Sequence, residues 1–355
     1  MTHAGTTRHD RLDSQYTSLA AESWYSPVGE VLWTQQGGNY LASGTLINDQ
    51  WVVTAAHVVS GINPGNIGTM TYTLGGSVYH VSETHYHSGW TGNVDSGYDI
   101  GLVKLTTTVD DVAPAYLYED TVENHRITTV VGFGRTGTGL TGDTLAAGTK
   151  RAGTNVIGLG SVLNDIPWTG GGDDDIVVAD FDSPGPTGDP TVDLGVPTDL
   201  EYCAAPGDSG GGWFLLDSNL HYLVGVTSFL IRNPANSNDA MYGDIFGATR
   251  VSSFLDWVLG YTVYAIAGDY NQDGYVDGAD YTVWADNYGR PSVIPGDGNR
   301  DAFIDGADYT VWADNYGDGT PPAPGMAPEP ASFALLVMVG AALLRRRSAH
   351  VLRDR

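Results

Sequence analysis

The chain has 355 residues, with 16 lysines and arginines against 42 aspartates and glutamates, a formal net charge of -26. That balance favours solubility and excludes nucleic-acid binding through phosphate contacts, so no nucleic-acid partner is expected. The single cysteine, Cys203, excludes an intramolecular disulfide, and the length calls for a large domain with appendages rather than one ordinary domain.

Residues 1–26 are polar and mixed and contain no apolar signal region, which leads us to expect a start farther upstream. From Pro27 to about Tyr116, short apolar runs alternate with Gly, Asn and Asp turns. They read as strands near 31–33, 42–47, 51–55, 69–74 and 100–105, the makings of a first antiparallel barrel. His85 and His87 stand in a polar stretch before Gly89-Trp90. With no third ligand evident they read as a surface loop rather than a zinc site.

Trp51-Val52-Val53-Thr54-Ala55-Ala56-His57 ends an apolar run on an imidazole with small alanines beneath it. Farther on, Asp99 opens the run Ile100-Gly101-Leu102-Val103-Lys104-Leu105. A base and a carboxylate to orient it are thereby supplied. A second barrel is expected over about 126–258, interrupted by an acidic, Gly- and Pro-rich passage at 173–199. Asp173, Asp174, Asp175, Asp180 and Asp182 fit no recognisable calcium loop there and read as a solvated insertion.

The passage Ala205-Pro206-Gly207-Asp208-Ser209-Gly210-Gly211-Gly212-Trp213 is shaped for acyl transfer. A serine hydroxyl needs a base to take its proton and backbone N–H donors to hold the oxyanion that forms. Gly207 and Ser209 are the expected oxyanion donors, while Gly210 and Gly211 keep the wall thin. The same residues satisfy a nucleophile elbow, but that arrangement requires an acid and then a histidine after the serine. Only His221 and His350 follow; one is too close in sequence and the other lies in a terminal tail.

With His57, Asp99 and Ser209 in this order, residues 28–261 closely resemble the chymotrypsin/trypsin-like serine proteases. Gly44-Thr45-Leu46-Ile47-Asn48 looks like the strand before the histidine, Val131-Gly132-Phe133-Gly134-Arg135 like the start of the second barrel, and 223–229 like the strand after the serine. Residues 251–257 look like the closing helix. The resemblance implies two antiparallel β-barrels and a secreted endopeptidase acting on protein or peptide substrates without a cofactor. His57 would serve as general base and acid, Asp99 as its orienter and Ser209 as nucleophile. It also implies a specificity pocket formed by Cys203, Ser228 and Leu230, suited to small or medium apolar side chains because no acid stands at Cys203. Ala42 and Val58 occupy positions where many relatives carry a disulfide. Asp208 would in many relatives pair with a new amino terminus; lacking an Ile-Val-Gly-Gly start, the chain could offer a cationic group of its N-terminal segment instead, with Arg8 the candidate, while Arg8-His9-Asp10 otherwise reads as a solvated charged turn.

Beyond Tyr261 the character changes. Asp269, Asn271, Asp273, Tyr275, Asp277 and Asp280 fall at positions 1, 3, 5, 7, 9 and 12 of a twelve-residue loop of the EF-hand type, ending in Asp rather than Glu. Asp297, Asn299, Asp301, Phe303, Asp305 and Asp308 repeat the pattern 28 residues later, with Ala302 where the turn favours glycine, and 278–289 is identical to 306–317. Calcium is therefore the expected cofactor of these two loops. Each loop leads into Tyr-Thr-Val-Trp-Ala-Asp-Asn-Tyr, a short helix whose Val and Trp should pack against the other copy. The pair resembles a dockerin type I module, which implies a cohesin-like partner or a calcium-stabilised stalk.

A Pro- and Gly-rich linker at 318–330 precedes the apolar run 331–344 and Arg345-Arg346-Arg347. Fourteen residues rise about 21 Å as a helix, short of the roughly 30 Å of hydrocarbon a span crosses. With Pro328-Glu329-Pro330 the tail resembles a PEP-CTERM sorting signal, which implies processing by an exosortase during export to the cell surface, with transient membrane association; a plain tail anchor is the competing reading. The expected layout is a mainly β fold: an N-terminal segment 1–26, a protease domain 27–262, a small α-helical calcium module 263–318, a linker 319–330 and an apolar helical tail 331–355. The alternative of another class is a non-catalytic adhesion or scaffold protein that keeps the protease fold, against which an intact triad speaks.

Overall fold

The computed structural model describes residues 5–62, 64–94, 97–185, 195–262, 267–271, 275–290, 296–299 and 303–319. The elements in chain order begin with β1 (Gly5–Thr7) and α1 (Asp13–Ala20). There follow β2 (Val28–Gln35), β3 (Gly38–Leu46), β4 (Trp51–Thr54), α2 (Ala56–Val59), β5 (Thr71–Leu74), β6 (Ser77–Tyr86) and β7 (Gly101–Leu105). Strands β2-β3-β4-β7-β6-β5 close into a six-stranded barrel. Its interior is filled by Val31, Leu46, Val52, Met70, Tyr72, Leu74, Val103 and Leu105. The hairpin β2–β3 turns through Gln36 (φ 51°) and Gly37 (φ 80°), the paired left-handed residues whose twist matches the flanking strands.

The second half contains β8 (Tyr116–Leu117), β9 (Ile127–Gly132), β10 (Thr136–Thr138), β11 (Gly142–Leu145), β12 (Arg151–Val156), β13 (Gly158–Leu159), β14 (Ile176–Asp180), β15 (Tyr202–Cys203), β16 (Gly212–Asp217), β17 (Leu220–Ile231) and β18 (Ile245–Arg250). Here the expectation of a second closed barrel is corrected. The strands form a curled half-barrel in the order β12-β9-β16-β17-β18-β14-β13, with β8 beside β17, and the sheet does not hydrogen-bond end to end. A layer of Val28, Val53, Leu102, Val131, Phe214, Val226 and Phe254 packs between barrel and sheet. Around Trp213, Phe246 and Tyr202 lies the sheet's own core. The closing helix α3 (Leu255–Thr262) buries Val258 against the layer between them.

Three further expectations are revised. The acidic passage is not solvated throughout: Ile176–Asp180 is a strand with every residue buried, and Asp182 is buried too. The stretch around His85 is no loop, because His85 lies in β6, its ring 4.4 Å from that of Tyr261, and His87 packs on Tyr98, Phe254 and Trp257. The N-terminal segment is an integral strap rather than an appendage. β1 lies between β10, parallel to it, and β15, antiparallel, and Arg151 of β12 grips Asp13 of α1 through Nε and Nη2 at 2.6 and 2.7 Å.

The repeated sequence near the C-terminus folds into repeated structure, α4 (Gly278–Asn287) and α5 (Gly306–Asp314). Asp277 and Asp305 cap them by accepting the backbone N–H of Ala279 and Ala307 at 2.7 Å. The tryptophans do reach across to the other copy: the indole N–H of Trp284 donates to the Asp305 carbonyl and that of Trp312 to the Asp277 carbonyl, both at 2.8 Å. The tail 331–355 and the linker before it, apart from its first residues, lie outside the described residues. Among the described residues no helix is long and apolar enough to cross a membrane.

Candidate active site

Strand β4 leaves the barrel at Thr54, and the fully buried Ala55 and Ala56 let the chain turn at once into α2, which carries His57. Gly101 makes that close approach possible, since a Cβ there would sit 2.6 Å from Val59 and 3.2 Å from the Ala55 carbonyl. Asp99 precedes β7 and is fully buried. Its Oδ1 accepts the backbone N–H of His57 at 2.8 Å, and its Oδ2 accepts the Ser228 hydroxyl at 2.5 Å. Imidazole Nδ1 lies 2.7 Å from that same Oδ2. A carboxylate can only accept, so Nδ1 carries the proton and Nε2 is left as an acceptor. Ser209 Oγ stands 2.8 Å from Nε2. The structure thus joins the three predicted residues, 42 and 152 positions apart from His57, in one hydrogen-bonded line.

The loop bearing Ser209 is tied to both halves of the fold. Gly210 N–H donates to the Thr227 carbonyl at 2.7 Å, Ser43 N–H to the Ser209 carbonyl at 2.8 Å, and the Ser43 hydroxyl to the Gly207 carbonyl at 2.9 Å. Gly210 has φ +83°, and a Cβ there would stand 2.1 Å from Thr54 Oγ1 and 2.2 Å from the Ser43 carbonyl, so no side chain fits. Among the described residues the N–H groups of Gly207 and Ser209 donate to nothing in the protein. They are two unspent donors flanking the hydroxyl.

Arg8 does not reach Asp208, which overturns that expectation. Its guanidinium pairs with Asp10 at 2.8 Å and donates to the Thr198 carbonyl at 2.8 Å, because β1 delivers it to the 198–201 turn. Asp208 is instead buried with its oxygens accepting the N–H groups of Gly134 at 2.8 Å and Ala205 at 2.9 Å. Burial pushes its carboxyl up to about 6, opposed by those amides and by the positive Arg151.

A cavity of 340 Å³ runs from Ser209 along β17, lined by Ala204, Ala205, Pro206, Ser228 and Leu230. Arg232 and Asp239 also line it and pair at 3.5 Å. Of the three residues expected to form a specificity pocket, Ser228 and Leu230 line this cavity. Cys203 does not: its register partner in β1 is Thr6, and its side chain is fully buried in the core behind the cavity. What sequence reasoning missed is the support from Ser43, Ser228 and Thr249, whose hydroxyl donates to the Asp99 carbonyl at 2.9 Å. Short hydroxyl residues inside strands carry no pattern that marks such contacts.

Comparison with known proteins bears on the same region. Residues 25–164 match the family model for trypsin. Chymotrypsin-like elastase family member 1 of Rattus norvegicus is 28% identical over 258 residues, covering 69% of this chain and 83% of the rat protein. The chain carries a trypsin-like serine protease domain. Trypsin theta of Drosophila melanogaster is 29% identical to part of that domain over 106 residues, covering 28% of this chain and 40% of the fly protein. A solved structure titled HL collagenase has the fold of the trypsin-like domain, with a TM-score of 0.50 at 22% identity over 70% of this chain and 95% of that one.

The two predicted calcium loops lie outside the trypsin-like domain. Asp280 and Asp308 are fully buried. Asp280 accepts the N–H groups of Asn271 at 2.9 Å and Asp277 at 2.7 Å, and Asp308 those of Gly298, Asn299 and Asp305 at 2.8, 3.0 and 2.8 Å. Asp269, at the first position of the first loop, is buried, and Tyr275 falls in the same loop and Asp297, Asn299 and Phe303 in the second. Asp273, Asp301 and Ala302 lie outside the described residues, and among the described residues no three acidic, His or Cys side chains converge as a metal cage.

Proposed function

We propose that the trypsin-like domain is a serine endopeptidase acting on protein or peptide substrates. The observation that carries this reading is the continuous line Asp99 Oδ2, His57 Nδ1, His57 Nε2, Ser209 Oγ, at 2.7 and 2.8 Å. Ser209 Oγ attacks the peptide carbonyl carbon while its proton passes to His57 Nε2. The N–H groups of Gly207 and Ser209 hold the oxyanion. Collapse of that intermediate breaks the C–N bond, and the amine leaves with the proton from His57. Water then attacks the acyl-enzyme by the same route and restores the Ser209 hydroxyl. Asp99 fixes the imidazole tautomer and stabilises the imidazolium. Labelling by a fluorophosphonate probe, lost in Ser209→Ala, tests the reading.

The residue on the acyl side of the scissile bond enters the 340 Å³ cavity. Ala204, Ala205 and Leu230 give it apolar walls, and its two charges are spent on each other, so small or medium apolar side chains are preferred. Faster hydrolysis of an Arg substrate than of Ala, Val and Leu analogues would reject this preference.

For the C-terminal unit, the all-oxygen donor set at fixed intervals suits calcium. Asp269, Asn271, Asp273, Tyr275, Asp277 and Asp280 would hold one ion and Asp297, Asn299, Asp301, Phe303, Asp305 and Asp308 a second. Bound calcium would neutralise these carboxylates and stiffen a dockerin-like docking module for a cohesin-like partner. The tail reads as an exosortase substrate that places the protein at the cell surface. Calorimetric titration with calcium, and its absence after Asp280→Ala and Asp308→Ala together, tests the metal assignment.

A further inference from the structure

Ser209 lies where two cavities meet, and among the described residues it is the one that lines both. The second has a volume of 390 Å³ and sits on the His57 side, lined among others by Trp33, Gln35, Tyr40, Leu41 and Gly61. Under the peptidase reading, on which this inference rests, His57 returns its proton to the departing amine. The leaving half of the substrate must therefore lie within reach of the imidazole, in this second cavity, while the acyl half follows β17.

We infer that the second cavity selects an aromatic or large aliphatic, uncharged side chain on the leaving side of the scissile bond, with Trp33 and Tyr40 as its specificity-determining wall. Trp33 and Tyr40 are direct register partners across β2 and β3, so both rings project from one face of the hairpin. They stack with centroids 5.2 Å apart and planes 14° from parallel. Tyr40 is nonetheless 47% exposed, a large ring surface left open beside the nucleophile. The wall is braced: Gln35, on the same face, donates its side-chain N–H to the Gly61 carbonyl at 2.7 Å, tying the hairpin tip to the loop after α2. The cavity falls in the size range of recognition pockets, about 300–1,000 Å³. Among the described residues, no ionisable group but His57 and the tyrosine phenol lines it. A charged side chain would give up hydration there and gain no counter-ion.

The test partitions one acyl-enzyme, formed from a peptide methyl ester, between competing amino-acid amides. The amine nitrogen bonds the acyl carbon, the Ser209 ester bond breaks, and the amine proton passes through His57 to Ser209 Oγ. Phenylalanine and leucine amides should capture the acyl group about tenfold better than glycine amide, the scale of one good apolar contact in a recognition pocket. Tyr40→Ala should bring that ratio close to one, and Tyr40→Phe should preserve it. Trp33→Leu gives a second reading of the ratio where the alanine variant does not fold. Equal capture by phenylalanine and glycine amides, preference for lysine or aspartate amide, or an unchanged ratio in Tyr40→Ala would overturn the assignment while leaving the peptidase reading intact. Failure to form any acyl-enzyme would overturn the peptidase reading itself, and this inference with it.

Discussion

The hydroxyl of Ser228 donates to Asp99 Oδ2 at 2.5 Å, the same oxygen that faces His57 Nδ1. Ser228 thus belongs to the trypsin-like domain's charge-bearing line as much as to its pocket. Hydrogen bonds to ionised groups contribute roughly 1.5–3 kcal/mol, and part of that holds Asp99 aligned. Ser228→Ala is expected to lower kcat/KM by about tenfold or more, with kcat bearing most of the loss. Steady-state kinetics on a Leu-containing peptide substrate checks it, and a loss confined to KM would assign Ser228 to the pocket alone.

The strap formed by residues 5–20 makes a second expectation. The Arg151 side chain is only 1% exposed, while its partner Asp13 is 55% exposed. Removing one partner of a fully buried pair costs about 3–5 kcal/mol, and the solvated carboxylate discounts that figure. Asp13→Ala should therefore destabilise the fold by about 2 kcal/mol, read as a lower urea midpoint with an unchanged slope. A wild-type midpoint would mean that β1, rather than this ion pair, holds the strap.

Glu201 sets a pH dependence of stability. It is buried beneath the strap, where its carboxylate accepts the Thr198 hydroxyl at 2.6 Å. Burial pushes its carboxyl up to about 8 from an ordinary 4.5, only partly offset by the Thr198 hydroxyl and N–H. The folded state then binds a proton that the unfolded chain has released, so this group's contribution to stability is lost as pH rises from about 4.5 to 8. Glu201→Gln should match the wild type near pH 4 and melt at progressively higher temperature than it does up to pH 8. Parallel melting curves across that range would reject the assignment.

A contact leaves a trace in the sequence only where its chemistry demands a particular residue type. His57, Asp99 and Ser209 were legible because acyl transfer demands those groups, and the glycines around Ser209 because Gly210 has no room for a Cβ. Most first-barrel strands announced themselves through buried apolar residues. β6 did not, since its burial alternates weakly and its outward residues are polar. β14 was hidden inside an acidic passage whose aspartates, Asp180 and Asp182, are themselves buried. The pocket position implied for Cys203 fails because β15 pairs with β1, a contact between residues 197 apart. Arg8 was misassigned for a related reason: charge alone suggested Asp208, whereas the path of β1 gave it Asp10. Long-range pairings of short strands leave almost no local trace, and the N-terminal strap is made of them.

A serine peptidase working through His57 must carry its substrate's acyl group on Ser209 during turnover. Intact-mass spectrometry with peptide mapping, after mixing the protein with a slowly deacylating p-nitrophenyl ester, traps that intermediate. One acyl group per chain is expected, mapped to Ser209 and absent from Ser209→Ala and His57→Ala. Turnover of the ester with no acyl adduct, or with the adduct on another residue, would contradict it.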